Sequence, residues 1–297
     1  MMYKYTLSHL FKSMKITRLC LASLLLLTVF GTACAQPAAY PKDTALVQEL
    51  RIPSKVMRKD FGAQVILPEA YFKNSALRFP VVYLLHGYSG NYTNWLVMQP
   101  RLRQWASLLN CIIAMPEGGY GSWYFDSPID PASQYETYVS KEVVDFVDTQ
   151  YRTIPSREGR AIAGLSMGGH GALYLALRHP EVYGAAGSMS GGVDLRPFPK
   201  NWEIAKHIGS LEEFPERWEA GSVINNLFYW DETKPIKLII DCGTEDFFFG
   251  VNLALHERLK EWHIPHEFTT RPGEHNVAYW KDAVFHQLLF FDAFFRE

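Results

Sequence analysis

The residue of this chain best placed to act as a nucleophile is Ser166. It lies at the centre of Gly-Leu-Ser-Met-Gly (164–168), a Gly-x-Ser-x-Gly motif. The apolar run before the motif predicts a strand covered on both faces, and the small and apolar residues after it predict a helix that ends near Arg178. A serine on a sharp turn between a strand and a helix holds its hydroxyl clear of the sheet. The motif therefore predicts a nucleophile elbow.

A histidine able to act as the base for this serine is expected late in the chain. His275 lies in Pro-Gly-Glu-His-Asn (272–276), a glycine-containing loop after the last predicted strand, 266–271. Most other histidines, such as His179 and His286, lie in or beside predicted helices, where a structural role explains them. The loop position favours His275 as the group that takes the proton from the serine hydroxyl.

The acid that would orient this histidine is expected in the turn after a late strand, because elbow folds deliver these residues in the order Ser, acid, His. Asp246 occupies such a turn, after the apolar strand 237–242. Asp241 lies within that strand and Glu245 is adjacent to Asp246, so both compete for the role. The loop position favours Asp246.

Two backbone amides are candidates to stabilise the negative charge that forms on an attacked carbonyl oxygen. The run 78–85 predicts a central strand, and His-Gly-Tyr-Ser-Gly (86–90) predicts a sharp turn at its carboxyl end, beside the elbow. We expect the amide of Tyr88 to be one donor and the amide of Met167 to be the other. Where it has been measured, such a donor contributes about 3 to 4 kcal/mol to catalysis.

A loop dense in glycine and aromatic residues follows the predicted strand 111–115. It spans residues 116–128 and contains Trp123 and Tyr124. Exposed aromatic side chains are unfavourable unless they line a pocket or pack against the fold. We therefore expect Trp123 and Tyr124 to line the substrate pocket.

Strand-like apolar runs alternate with helical stretches, which predicts an α/β fold with a mostly parallel central sheet and helices on both faces. The first two runs, 46–52 and 56–67, alternate in polarity and predict an edge meander. Segment 191–235 interrupts the alternation of strands and helices. It predicts a small insertion over the site that forms one wall of the acyl pocket.

Cys111 and Cys242 lie on predicted strands that we expect not to be neighbours. We therefore predict that both are free thiols.

Length and charge narrow the possible classes of protein. The 297 residues contain no linker or repeat, which favours a single domain over residues 36–297, and a hydrophobic content of 48% is enough for a large core. The formal net charge is −2 and no basic run is present. This composition argues against nucleic acid or an anionic membrane surface as the main partner.

The start of the chain predicts a secretory signal peptide over residues 1–35. Its apolar core, 19–30, follows positive charges and is too short for a membrane span. Cleavage after Ala-Cys-Ala (33–35) would leave Gln36 as the first residue. We expect a secreted or periplasmic protein, and a lipid anchor at Cys34 is the alternative.

Five motifs occur in order between residues 46 and 295. They are Tyr-Leu-Leu-His-Gly (83–87), Met-Pro-Glu-Gly-Gly (115–119), Ser-Trp-Tyr-Phe-Asp-Ser-Pro (122–128), Gly-Leu-Ser-Met-Gly-Gly (164–169) and Asp-Cys-Gly-Thr-Glu-Asp (241–246). Together they resemble the esterase D branch of the α/β hydrolases. That branch includes S-formylglutathione hydrolases, the feruloyl and acetyl-xylan esterases of carbohydrate esterase family 1, and mycolyltransferases. The resemblance implies an α/β-hydrolase fold and a catalytic triad of Ser166, Asp246 and His275.

This resemblance implies acyl transfer through a covalent acyl-serine, without a metal or an organic cofactor. S-formylglutathione is cytosolic, so an export signal disfavours that branch. We expect a serine carboxylic-ester hydrolase whose substrates are small or polysaccharide-linked esters, with feruloyl esters ahead of acetyl esters. The alternatives are a general short-chain carboxylesterase, an acyltransferase, and a non-catalytic carbohydrate-binding envelope protein on the same fold.

Overall fold

A computed structural model describes residues 47–297 of the protein. The predicted signal peptide, residues 1–35, and the first residues of the predicted domain lie outside the described residues. The strands of the described part are β1 (Val47–Ser54), β2 (Lys59–Ile66), β3 (Val81–Leu85), β4 (Ile112–Pro116), β5 (Arg160–Leu165), β6 (Ala185–Met189), β7 (Lys237–Gly243) and β8 (Glu267–Arg271).

These strands form an eight-stranded sheet in the order β1-β2-β4-β3-β5-β6-β7-β8. The pairs β1–β2 and β2–β4 are antiparallel, and every later pair is parallel. The prediction of an edge meander beside a parallel core is therefore confirmed. The order also matches the expected α/β-hydrolase architecture.

Helices cover both faces of this sheet. They are α1 (Glu69–Lys73), α2 (Asn94–Met98), α3 (Leu102–Leu108), α4 (Tyr135–Thr137), α5 (Val144–Gln150), α6 (Met167–Arg178), α7 (Ile204–Ile208), α8 (Pro215–Gly221), α9 (Phe249–Glu261) and α10 (Val277–Phe295). A π-helical stretch, Tyr138–Val143, joins α4 to α5, so the single helix expected over 135–151 changes its hydrogen-bond pattern midway. Within residues 47–297 no helix combines the length and the apolar character needed to cross a membrane.

Strand β3 shows why the central strands lack polar alternation. Val81, Tyr83 and Leu85 point into a core shared with α5 and α6. Val82 and Leu84 point to the other face, into a core shared with α3 and α10. Because both faces are covered, every residue of the strand is apolar and buried.

The two buried cysteines of the described part lie far apart in the sheet. Cys111 precedes β4 and Cys242 lies in β7, and β3, β5 and β6 separate these strands. Both thiols are free, as predicted. Burial raises the pKa of the Cys111 thiol to about 12, so this sulfur is a packed apolar group and not a reactive thiolate.

Candidate active site

Ser166 stands between β5 and α6 on a backbone that few residues adopt. Its φ is 54° and its ψ is −119°, a positive φ that is uncommon for a side-chain-bearing residue. The Ser166 amide donates to the carbonyl of Met189 on β6 (2.9 Å), which holds the turn against the sheet. The structure therefore confirms the sharp strand-to-helix turn that the motif predicts.

The two motif glycines are explained by close backbone approach. A Cβ on Gly164 would overlap the backbone of Gly168, and a Cβ on Gly168 would overlap the carbonyl of Leu85 at the end of β3. Any larger residue would push α6 away from β3 and β5. Small residues at these positions thus allow the helix to start directly at the serine.

Ser166, His275 and Asp246 form one hydrogen-bonded line. The Ser166 hydroxyl lies 2.9 Å from Nε2 of His275, and Nδ1 of His275 lies 2.8 Å and 3.0 Å from the two carboxylate oxygens of Asp246. The Asp246 side chain is fully buried, and one of its oxygens also accepts the Phe248 amide at 2.8 Å. A carboxylate can only accept, so Nδ1 carries the proton and Nε2 is free to accept the serine proton.

The two competing acids lie elsewhere. Asp241 is buried on β7 and accepts hydrogen bonds from Arg271 and Tyr279. Glu245 points at the amide of Gly273 in the histidine loop. The structure brings Asp246 alone of the three to the imidazole of His275.

The Tyr88 turn packs directly against the elbow. A Cβ on Gly87 would lie 2.6 Å from Cδ1 of Leu165 and 3.4 Å from Cβ of Ser166. The turn is fixed by the Ser89 amide, which donates to the carbonyl of Tyr120 at 2.7 Å. The amides of Tyr88 and Met167 thus belong to two rigid segments beside Ser166, and a first-turn helix amide such as that of Met167 has no acceptor inside its own helix.

A buried histidine that was not predicted from the sequence, His86, stabilises this turn. Nδ1 of His86 donates to the Gly87 carbonyl (2.9 Å), and Nε2 accepts the Gly118 amide (2.8 Å). The Tyr124 hydroxyl donates to the His86 carbonyl at 2.9 Å. The sequence feature that could have indicated this role is the position of His86 directly before Gly87, the glycine of the turn.

The expectation that Trp123 and Tyr124 line the substrate pocket is corrected by the structure. The two residues are 1% and 0% exposed, and both have positive φ values, 53° and 62°. Trp123 Nε1 donates to the carbonyl of Trp202 (3.2 Å), and the Tyr124 hydroxyl donates to the carbonyl of His86. Both residues pack beneath the residues of the site and do not line the cleft.

A cleft of about 290 Å³ opens above the serine. It is lined by Gly87, Tyr88, Ser89, Gly90, Asn94, Met98, Leu165, Ser166, Trp202, Phe247, His275, Val277 and Trp280. Trp202 and Phe247 stack at 5.6 Å with their planes 19° apart, and Phe247 contacts the ring of His275 at 4.2 Å. The predicted insertion, 191–235, therefore reaches the site through Trp202. Phe247 is a further site residue that was not predicted from the sequence, although it directly follows Asp246.

An α/β-hydrolase fold with a hydrogen-bonded serine, histidine and aspartate at the carboxyl edge of its sheet is the arrangement that defines the serine hydrolases. The profile of the Esterase family matches residues 54–291, and the chain belongs to that family.

Individual relatives agree with this assignment. Esterase Rv1288 of Mycobacterium tuberculosis is 29% identical over 243 residues, which are 72% of this chain and 52% of that protein, so the chain spans about half the length of this relative. An acetyl esterase of Caldicellulosiruptor saccharolyticus is 25% identical over 80% of this chain and 95% of its own length. The solved structure of a ferulic acid esterase superposes with a TM-score of 0.73 at 27% identity, covering 85% of this chain and 99% of that one.

Proposed function

We propose that the protein hydrolyses carboxylic esters through an acyl-serine intermediate on Ser166. The observation that carries the proposal is the unbroken line from the Ser166 hydroxyl through His275 to the buried carboxylate of Asp246. It lies at the floor of an open cleft that a substrate can enter. Membership of the Esterase family supports the same reaction class.

In the first half of the proposed reaction, His275 accepts the hydroxyl proton as Oγ of Ser166 bonds to the ester carbonyl carbon. The carbonyl oxygen becomes an oxyanion, which the amides of Tyr88 and Met167 stabilise. The carbon–oxygen bond to the alcohol then breaks, and the imidazolium gives its proton to the leaving alkoxide. Asp246 stabilises the imidazolium and stays ionised.

In the second half, water replaces the alcohol. His275 takes a proton from water as its oxygen attacks the acyl carbon, and the same amides stabilise the second oxyanion. The bond to Oγ of Ser166 breaks, and the proton returns to the serine. One ester and one water thus give one acid and one alcohol, with the enzyme unchanged.

For the acyl group we propose a hydroxycinnamoyl ester, such as a feruloyl ester of plant polysaccharide, ahead of an acetyl ester. The stacked rings of Trp202 and Phe247 give the cleft a flat aromatic wall next to His275. A planar aromatic acyl group can stack on such a wall, whereas an acetyl group leaves most of it unused. The similarity to a ferulic acid esterase structure supports this choice.

The test compares kcat/KM for methyl ferulate and for p-nitrophenyl acetate in the wild type and in Trp202→Ala. Because ring stacking contributes about 0.5–1.5 kcal/mol beyond area burial, we expect up to a tenfold loss on methyl ferulate. The loss on p-nitrophenyl acetate should stay within about twofold, since the acetyl group does not need the wall.

The matched control is Trp262→Ala, which removes a half-exposed tryptophan after α9 that is not part of the cleft. This variant should match the wild type on both esters. No turnover of methyl ferulate, or an equal loss on both esters in Trp202→Ala, would leave a general short-chain esterase as the better description.

We further propose that the protein is exported by a signal peptide over residues 1–35, as the charged start, short apolar core and small residues at 33–35 suggest. Sequencing of the processed amino terminus tests this. Cleavage for soluble export gives Gln36 as the first residue, and a lipoprotein gives an acylated Cys34. A processed protein that retains residues before Cys34 would contradict both forms of export.

A further inference from the structure

A second buried carboxylate, Asp241, lies on β7 beneath the histidine loop. Its side chain is fully buried and accepts two hydrogen bonds from Nη2 of Arg271, at 2.9 Å and 3.2 Å. It also accepts a hydrogen bond from the hydroxyl of Tyr279. Burying a carboxylate is unfavourable unless it is paired and hydrogen-bonded, so these three side chains hold one another in place.

The two partners of Asp241 stand on either side of His275 in the chain. Arg271 is the last residue of β8, and Tyr279 lies in the first turn of α10. The guanidinium of Arg271 also lies over the Tyr279 ring, 4.9 Å from its centre. Both ends of the loop that carries His275 are thereby joined to one carboxylate on the central sheet.

Gly273 shows how tightly the loop is held between these ends. Its φ is +154°, a Cβ on it would overlap the Tyr279 ring, and a Cβ on Gly243 would overlap its carbonyl. The Glu245 amide donates to this same carbonyl at 3.0 Å, and the Gly273 amide donates to the Glu245 carboxylate. The histidine loop is therefore pressed against the turn that carries Asp246.

None of Asp241, Arg271 and Tyr279 lines the cleft above Ser166. We propose that Asp241, acting through Arg271 and Tyr279, is the positioning residue that holds His275 between Ser166 and Asp246. The proposal rests on the proposed role of His275 as the base. A displacement of about 1 Å in a reacting group can cost on the order of 100-fold in rate, so a small relaxation of this loop has a measurable effect.

The test uses two near-isosteric variants, Tyr279→Phe and Asp241→Asn. Tyr279→Phe removes one hydroxyl, keeps the ring over Gly273 and leaves the charge of the site unchanged. We expect kcat on p-nitrophenyl acetate to fall about 10- to 100-fold in either variant. KM should stay within about twofold, because the altered groups do not touch the cleft.

A second readout does not depend on turnover. Histidine-selective NMR titration gives the pKa of the His275 imidazole, whose signal is assigned with a His275→Gln variant. If His275 moves away from Asp246, its imidazolium loses the carboxylate that stabilises it. In Tyr279→Phe the His275 titration, and with it the acid limb of the kcat/KM profile, should therefore move to lower pH.

Two controls remove a carboxylate and a tyrosine hydroxyl that do not line the cleft above Ser166. Asp148→Asn breaks a part-buried ion pair with Arg160, and Tyr183→Phe removes a buried hydroxyl that donates to the Val139 carbonyl. Both should change thermal stability at most and leave kcat and the His275 titration at wild-type values.

The inference is overturned if folded Tyr279→Phe and Asp241→Asn keep wild-type kcat and a wild-type His275 titration. It is also overturned if the two variants lose only stability, as the controls do. A wild-type protein that turns over no ester would defeat the proposed function, and the NMR titration would still decide the role of Asp241.

Discussion

At the scale of single residues, the reactivity of Ser166 depends on what surrounds His275. A serine hydroxyl is a weak nucleophile until a base can take its proton, and a histidine can do so only in the correct tautomer. Here the buried carboxylate of Asp246 fixes that tautomer because it accepts a hydrogen bond from Nδ1–H of His275. Phe247 and Trp280 pack against the imidazole at 4.2 Å and 4.8 Å and hold its plane.

Substitutions of Ser166, His275 or Asp246 should therefore lower the catalytic rate without preventing folding. We expect Ser166→Ala and His275→Ala each to lower kcat by several orders of magnitude, because such residues act as a unit. Asp246→Asn should lose about 10⁴-fold, since an amide leaves the imidazole in the wrong tautomer. Initial rates at saturating p-nitrophenyl acetate measure this, with circular dichroism melts to verify the fold.

The contrast between the two aspartates makes this prediction specific. Asp241→Asn should retain far more activity than Asp246→Asn, because Asp241 acts through the histidine loop and not on the imidazole. Equal losses in the two variants, or the reverse ranking, would mean that Asp246 is not the acid of the site.

The residues that do chemistry could be predicted because their types and order are constrained. A nucleophile elbow, a late acidic turn and a last loop with histidine leave few choices for Ser166, Asp246 and His275. The direction of an aromatic side chain is not constrained in this way. Trp123 and Tyr124 are residue types that often line pockets, but here both are buried, in a turn with two successive positive φ values. Single-sequence patterns carry no signal for that turn.

At the scale of elements, helix α6 connects the elbow to the segment over the site. His170 lies in α6 with no exposed surface, and its Nε2 donates to the carbonyl of Gly221 at the end of α8 (2.8 Å). The rings of Trp123, Phe125 and Tyr174 surround it. Burial lowers the pKa of His170 to about 4, so the ring is neutral at pH 7.

This histidine should make stability fall on mild acidification. Its folded pKa of about 4 lies below the ordinary value of 6.5, so the unfolded chain binds the proton more tightly and stability is lost as pH falls through this window. Between pH 7 and pH 5 the loss from this one group is about 2 kcal/mol. Urea unfolding at the two pH values in wild type and His170→Asn measures it. An unchanged pH dependence in the variant would assign the effect to other groups.

The regular elements and the position of the insertion could be predicted from the sequence, whereas the internal structure of the insertion could not. Strands β3 to β7 are short apolar runs with a helix or a loop between them, so their pattern is distinctive. Segment 191–235 instead forms short helices and 3-10 turns around Trp218 and Leu227, both buried. Short elements of this kind are stabilised by tertiary packing, which leaves no period in the sequence. The π-helical stretch Tyr138–Val143 was missed for the same reason.

At the scale of the whole molecule, the parallel sheet brings residues that are far apart in the sequence to within about 3 Å of each other. Ser166 follows β5, Asp246 follows β7 and His275 follows β8, and these strands end at the same edge. The serine and histidine are 109 residues apart in sequence and 2.9 Å apart in the site. Cores on both faces of the sheet hold the strands in register, and the cleft at this edge remains open to substrate.

Fluorophosphonate labelling tests most directly whether this arrangement produces a reactive serine. The full chain is incubated with the probe, the intact mass gives the stoichiometry, and peptide mapping gives the modified residue. We expect one label per chain, carried by Ser166, with no label on Ser166→Ala and a strongly reduced labelling rate in His275→Ala. A folded wild-type protein that takes no label, or that is labelled at a residue other than Ser166, would contradict the acyl-serine mechanism.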